Sequence, residues 1–302
     1  MELRVLRYFL TVAREGSITG AAEFLHVTQP TLSRQLKDLE QKLGKKLFNR
    51  SSHSIILTDE GMLLRKRAEE IIEMIDKLET EFSSMKETVS GDVYIGGGET
   101  DAMKHIAGVV KELHGSYPNI RYHLYSGNEE DVTNRLDRGL LDFGILIEPA
   151  DLSKYNYINL PAKDVWGVVM RKDNPLAVKD TIKPVDLLNV PLICSRQAMK
   201  QTFPENEFAS WFGEEFEKLN VVATYNLAYN AAIMVEEDVG YAVVLDKIVN
   251  TSNASNLCFR PLEPRLESGL NIVWKKHQTF STAADLFLKE IQAIFKKCLS
   301  DL

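Results

Sequence analysis

The hydrophobic positions of the first 45 residues recur at intervals of three and four, with stops at Gly16 and Gly44. Leu3, Leu6, Phe9, Leu10 and Ala13 form one amphipathic stripe that Gly16 stops. Ser17 then opens a shorter helix to about Leu25, with Ile18, Ala21, Ala22 and Leu25 turned inward. After a turn at His26 to Thr28, Thr28 is placed to cap a third helix. Pro30 falls in its first turn, Leu32, Leu36 and Leu39 form its buried stripe, and Gly44 ends it. Two short helices joined by a three-residue turn make a helix-turn-helix, whose second helix enters a DNA major groove. Gln29, Thr31, Ser33, Arg34 and Lys37 lie off the leucine stripe. Gln and Arg can read base edges bidentately and Ser, Thr and Lys suit phosphates, although any solvated helix face shows such residues. The segments Leu47 to Arg50 and Ile55 to Thr58 alternate about Ser51 to Ser54 as a small β-hairpin, a wing with Arg50 at its base.

A second pattern begins at Thr58, which can cap a helix with Asp59 and Glu60 in its first turn. Leu64, Ala68, Ile71, Ile75, Leu78, Phe82 and Met85 then alternate by four and three, the a and d positions of a coiled coil, so residues 59–90 are expected to be a linker helix with a dimer seam. A helix packed on its own domain is the competing reading. After Gly91 the pattern changes to strands alternating with helices. Strands are expected at Val93 to Gly97, Arg121 to Tyr125, Phe143 to Ile147, Val165 to Met170, Leu192 to Ser195, Val221 to Tyr225, Tyr241 to Leu245 and Leu270 to Trp274. Helices are expected at Thr100 to Leu113, Glu130 to Arg138, Phe208 to Leu219, Ala228 to Glu236 and Thr282 to Leu299. This is an α/β layout with mostly parallel strands.

Charge sharpens the division. Residues 1–58 hold nine Lys and Arg against five Asp and Glu, net +4, whereas the whole 302-residue chain is −7. A basic head on an acidic body implies that a polyanion is gripped at the head. Cys194, Cys258 and Cys298 are too far apart for a redox pair or a close-spaced zinc motif and read as buried thiols. No apolar run approaches the roughly 20 residues of a bilayer span, and the N-terminus offers no signal-peptide core. The expectation is a cytoplasmic protein without a membrane partner. Gly96-Gly97-Gly98 invites a dinucleotide reading, but Asp101 stands where the fingerprint needs Gly or Ala. No catalytic constellation or histidine cluster emerges, so neither an enzyme nor a metal or other cofactor is expected.

The run Ser17-Ile18-Thr19, Ala21-Ala22, Leu25, Val27-Thr28-Gln29-Pro30, Leu32-Ser33-Arg34-Gln35-Leu36, Leu39-Glu40, Leu43-Gly44, Leu47-Phe48, Arg50, Leu57-Thr58 and Gly61 resembles the N-terminal signature of LysR-type transcriptional regulators. The resemblance is dense over residues 1 to about 65. Beyond them the chain agrees in length and layout. It implies DNA contacts by Gln29, Pro30, Thr31, Ser33 and Arg34 and a wing contact by Arg50. Two residues depart from the family pattern: Gly20 stands where a basic residue is frequent, and His53 stands in a wing where Arg or Lys is common.

The resemblance further implies a winged helix-turn-helix over residues 1–58, the linker helix over 59–90, and a two-lobed effector domain like a periplasmic binding protein over 91–302. Lobe I would comprise 91–162 and 267–302 and lobe II 163–266, with crossovers near Leu160 to Asp164 and Pro264 to Ser268. Ligands of open α/β sheets bind at the carboxyl ends of strands, here Gly98 to Asp101, Ser126 to Asn128, Ile147-Glu148, Ser195 to Gln197 and Asn226-Leu227. The effector candidates are Gly98, Thr100, Ser126, Gly127, Ile147, Ser195, Arg196 and Gln197. Thr100 and Ser126 either bond a ligand or serve capping and turns. Arg196 either selects an anion in the cleft or forms a surface ion pair. Glu99, Asp101 and Glu148 at the same ends argue against a strongly anionic ligand in the first lobe. The expected molecule is a homodimer or homotetramer that binds an interrupted inverted repeat of double-stranded DNA under control of a small-molecule effector, with RNA polymerase as a candidate partner. A solute-binding module would explain the two lobes but not the wing or the heptads.

Overall fold

A computed structural model describes residues 1–50, 55–83, 89–199 and 206–300, with the side chains of residue 50, residues 80–83 and residues 296–300 outside that description. The chain divides into two compact units, Met1–Ser83 and Ser84–Leu302.

In the first unit, α1 (Leu3–Glu15) and α3 (Gln29–Leu43) both end on glycines in the left-handed region, Gly16 at φ 62° and Gly44 at φ 64°. Between them lies α2 (Ile18–Phe24), capped by Ser17, whose hydroxyl accepts from Gly20 N at 3.3 Å. The buried stripe of each helix meets in one core around Phe9, Ala21, Ala22, Leu32 and Leu36, with Phe9 against Phe48 at 5.2 Å between ring centroids. The wing strands β1 (Phe48–Arg50) and β2 (Ile55–Leu57) pair antiparallel, Phe48 opposite Leu57. Residues 51–54, including His53, lie outside the described residues.

The helix α4 (Asp59–Ser83) follows directly. Its start is drawn tight against the wing: Thr58 Oγ1 donates to the Lys46 carbonyl at 2.7 Å and accepts from Gly61 N at 3.0 Å. A Cβ at Gly61 would stand 2.1 Å from the Leu47 carbonyl oxygen, so this contact admits only glycine without a backbone shift. Ala68 is fully buried in the core of the head, and Leu64 packs against the same core. These two positions of the expected seam therefore serve their own domain, because α1 lies alongside α4 and consumes that side of the helix.

The second unit is built on one continuous sheet in the order β4-β3-β5-β11-β6-β9-β7-β8, with β10 also paired to β6. On one side β3 (Gly91–Gly97) runs parallel to β4 (Ile120–Ser126) and β5 (Phe143–Ile147). On the other, β7 (Leu192–Ser195) runs parallel to β8 (Val221–Tyr225) and β9 (Tyr241–Leu245). The expectation of mostly parallel strands fails at the centre. Every ladder of β6 (Tyr155–Arg171) or β11 (Glu267–Lys275), including that of β6 with β10 (Leu257–Pro261), is antiparallel.

The reason is that the crossovers are strands. Leu160 to Asp164, expected to be a link between lobes, lies inside the 17-residue β6. Pro161 sits where the register shifts opposite Leu270, a bulge that needs no ladder N–H from proline.

Helices cover both faces of each half. In lobe I, α5 (Met103–Ser116) and α9 (Thr282–Ser300) bury Ile106, Val109, Phe287 and Phe295 on one face. On the other, α6 (Glu129–Asp137) buries Val132 and Leu136. In lobe II, α7 (Glu207–Phe212) packs Phe208 and Phe212 beside Trp166, and α8 (Ala228–Glu236) packs Ala231 and Val235 on the opposite face. Cys194 and Cys258 are buried free thiols, and burial pushes the Cys194 thiol up to about 12. No helix is long and apolar enough to cross a membrane among the described residues.

Candidate DNA-binding face and effector cleft

The head presents one polar helix face. Thr28 Oγ1 accepts from Thr31 N at 3.4 Å and lies 2.8 Å from the Thr31 hydroxyl, fixing the first turn of α3 where Pro30 needs no donor. Leu32, Leu36 and Leu39 point into the core, which leaves Gln29, Pro30, Thr31, Arg34 and Lys37 exposed and Ser33 half-buried. The face therefore collects all six helix residues expected from the sequence. Among the described residues Gln29, Arg34 and Lys37 have no hydrogen-bond or ion-pair partner, so their donors are available to an incoming polyanion. The side chain of Arg50 lies outside the description, although its backbone stands at the end of β1.

Glu40 was visible in the sequence only as part of a family motif. Its carboxylate is buried and accepts from Leu47 N at 2.8 Å and Phe48 N at 3.4 Å, with Lys46 at 3.6 Å. It ties the end of the recognition helix to the entry of the wing.

On α4 the outward side carries Leu63, Ile71, Met74 and Leu78, each an exposed apolar residue, while Ile75 is half-buried. Of the expected seam, Ile71, Ile75 and Leu78 thus remain accessible. Phe82 and Met85 lie where side chains are not described.

Between the two lobes of the second unit lies a cleft, part of it continuous with solvent. Gly98, Ile147, Ser195 and Gln197 line it as expected. Thr100, Ser126, Gly127 and Arg196 do not. Thr100 is buried: its hydroxyl donates to the Asp164 carboxylate and accepts from Ala102 N at 3.0 Å, just before α5. Ser126 lines an adjoining, more open hollow that shares Gly98 and Glu99 with the cleft and also includes Thr100, Asp101 and Lys247. Gly127 is buried, its N–H donating to the Gly97 carbonyl at 3.0 Å, and Arg196 is exposed outside the cleft. Strand ends point along the sheet, but the loops leaving them turn to either side, and only tertiary packing decides which side.

Residues that the strand-end rule did not identify form the apolar walls. Trp166 comes from the middle of β6 and Phe208 from α7. The lobes also touch across the opening. Gln197 Nε2 donates to Glu129 Oε2 at 3.2 Å, and Ala228 N at the start of α8 donates to the Glu99 carboxylate. Beside them Asp164 has its pKa raised, chiefly by burial and further by Asp246 and Asp101 against the opposing Thr100 hydrogen bond.

Comparisons with known proteins agree with both units. Residues 3–62 match the family description "Bacterial regulatory helix-turn-helix protein, lysR family", and residues 86–296 match "LysR substrate binding domain". The uncharacterized HTH-type transcriptional regulator YvbU of Bacillus subtilis is 27% identical over 299 residues, covering 98% of this chain and 99% of that one. The HTH-type transcriptional regulator BsdA of the same organism is 32% identical over 200 residues, 65% of this chain and 67% of that one. The crystal structure of full-length CbnR complexed with its target DNA superposes with a TM-score of 0.74 at 20% identity, covering 97% and 99% of the two chains, and shows a shared fold. With a lysR-type head and a LysR substrate-binding domain that between them take in most of its length, the chain belongs to the LysR family of DNA-binding transcriptional regulators.

Proposed function

We propose that this regulator reads duplex DNA with the exposed face of α3, pairs with a second copy through the outward stripe of α4, and is switched by a small molecule held in the interlobe cleft. Gln29 and Arg34 would contact base edges, and Thr31, Ser33, Lys37 and Arg50 phosphates, with Pro30 packing against the backbone of the DNA. The observation that carries this reading is the unpaired, exposed state of Gln29, Arg34 and Lys37 on a helix whose other face is locked into a core. The cleft supports the effector half, since it is concave, walled by Trp166 and Phe208, and bridged by contacts that a ligand would alter. A ligand shifts the regulator only by its difference in affinity for two states, and a hundredfold preference supplies about 2.7 kcal/mol. The site of action would be the cytoplasm, where the DNA lies, with RNA polymerase the partner downstream.

The test is DNase footprinting and fluorescence anisotropy of the full chain on the DNA flanking its own gene. Arg34→Ala is expected to cost ~1–3 kcal/mol and to relax preference at one base position. A uniform loss on specific and random DNA would remove Arg34 from base reading.

A further inference from the structure

Resting on the reading of the interlobe cleft as the effector site, we propose that its ligand is a cation, a protonated amine carried on a compact apolar or aromatic body. Glu99, Glu148 and Glu207 line the cleft, and among its described lining residues there is no lysine, arginine or histidine. The carboxylates of Glu99 and Glu148 are held by neutral donors: Ala228 N bonds the first, and Asn271 Nδ2 bonds the second at 2.8 Å. Lys104 and Lys247, which line the adjoining hollow, are paired with Asp101 at 2.7 Å and Asp246 at 3.1 Å. Carboxylates in a concave site whose described lining brings no counter-charge favour a ligand that brings one.

The same geometry disfavours an anion. At the start of α8, one of the helix N-termini on this cleft, backbone N–H groups and the helix dipole would welcome a ligand carboxylate. Glu99 already occupies it from the opposite lobe. An acid would have to displace that carboxylate and then face Glu148.

The walls fit an apolar body. Trp166 Nε1 donates to Ser268 Oγ at 2.9 Å and the Tyr225 hydroxyl to the Val243 carbonyl at 2.8 Å, so both rings have their polar atoms committed and offer the ligand their surfaces. Ring faces attract an ammonium group as well as an apolar chain.

The experiment is calorimetric titration of the full chain with two matched probe pairs, phenethylamine against phenylacetate and putrescine against succinate. An amine is expected to bind roughly tenfold or more tightly than its acid partner, and Glu148→Gln and Glu99→Gln to weaken it roughly ten- to a hundredfold at unchanged melting temperature. An acid that binds as well as its amine partner overturns the assignment. So do amine affinities indifferent to both substitutions, or no amine binding up to about 10 mM. Ala198→Trp, which fills the cleft, separates the two layers of the argument. Acid binding abolished by this variant leaves the effector site standing and refutes the charge, whereas binding that survives it refutes the site.

Discussion

Gly61 shows how a single side chain is dictated by its neighbour's backbone. It lies in the first turn of α4, where any helix former would do on propensity, yet the Leu47 carbonyl stands where a Cβ would go. Gly61→Ala is expected to lower the stability of the head by about 1–3 kcal/mol, read as a shift in the midpoint of chemical denaturation, because the wing entry must move away from the helix. Glu40 acts on the same joint from the other side. Its burial would be unfavourable alone, but two backbone N–H groups, at 2.8 and 3.4 Å, donate to its Oε1 in place of water, and Lys46 Nζ stands 3.6 Å from its Oε2. Thr100 shows at this scale how a local pattern leaves two readings open. A threonine at a strand end predicts a ligand donor and a helix cap equally well; in the structure its hydroxyl is bonded to the buried Asp164, 64 positions away in the chain, and to Ala102 N in a local turn before α5.

At the scale of elements, α4 must satisfy two neighbours. One side, through Ala68 and Leu64, belongs to the core of the head, and the other leaves Ile71, Met74 and Leu78 exposed. Two substitutions should therefore separate. Leu78→Asp is expected to dissociate the proposed dimer in sedimentation velocity while the head keeps its melting transition. Ala68→Asp is expected to cost several kcal/mol and to melt the head itself, since its charge would be buried without a partner. An intact dimer in Leu78→Asp would place the pairing surface off α4.

The edge of lobe I offers a second case. Asp92 on β3 accepts from Arg121 on the neighbouring β4 at 2.9 and 3.0 Å and lies 2.7 Å from His123. Burial works against its ionisation, but these hydrogen bonds and charges outweigh burial and hold its pKa below the usual carboxylate value. A depressed carboxyl adds stability above its unfolded pKa and loses it as pH falls through the folded one. The second unit is therefore expected to lose stability below about pH 4, and Asp92→Asn to flatten that loss in thermal melts across pH 2 to 5.

Over the whole molecule, charge is partitioned by function. The head carries net +4 and the chain −7, so the remainder is acidic. DNA binding by the full chain is expected to fall steeply with salt, with a log–log slope of several, set by the phosphates the head neutralises rather than by net charge. A flat salt response in anisotropy titrations would mean that the basic face is not the contact surface. The cleft obeys the same partition, since an acidic body can hold an acidic site without attracting DNA into it.

The boundaries of the helix-turn-helix were legible in the sequence because each is set locally, by Ser17 and Thr28 as caps and by Gly16 and Gly44 in the left-handed region. Strands such as Phe143–Ile147 and Leu192–Ser195 were legible too, since short buried apolar runs bounded by turn residues admit few other readings. The 17-residue β6 was not. Its first half is polar and carries Pro161, and it becomes a strand only because β11, more than a hundred residues later, pairs along it. The cleft was legible only in part for the same reason. Which residues sit at strand ends follows from local pattern, but which of them face one another across two lobes depends on contacts between segments distant in the chain, and those exist only once the sheet is assembled.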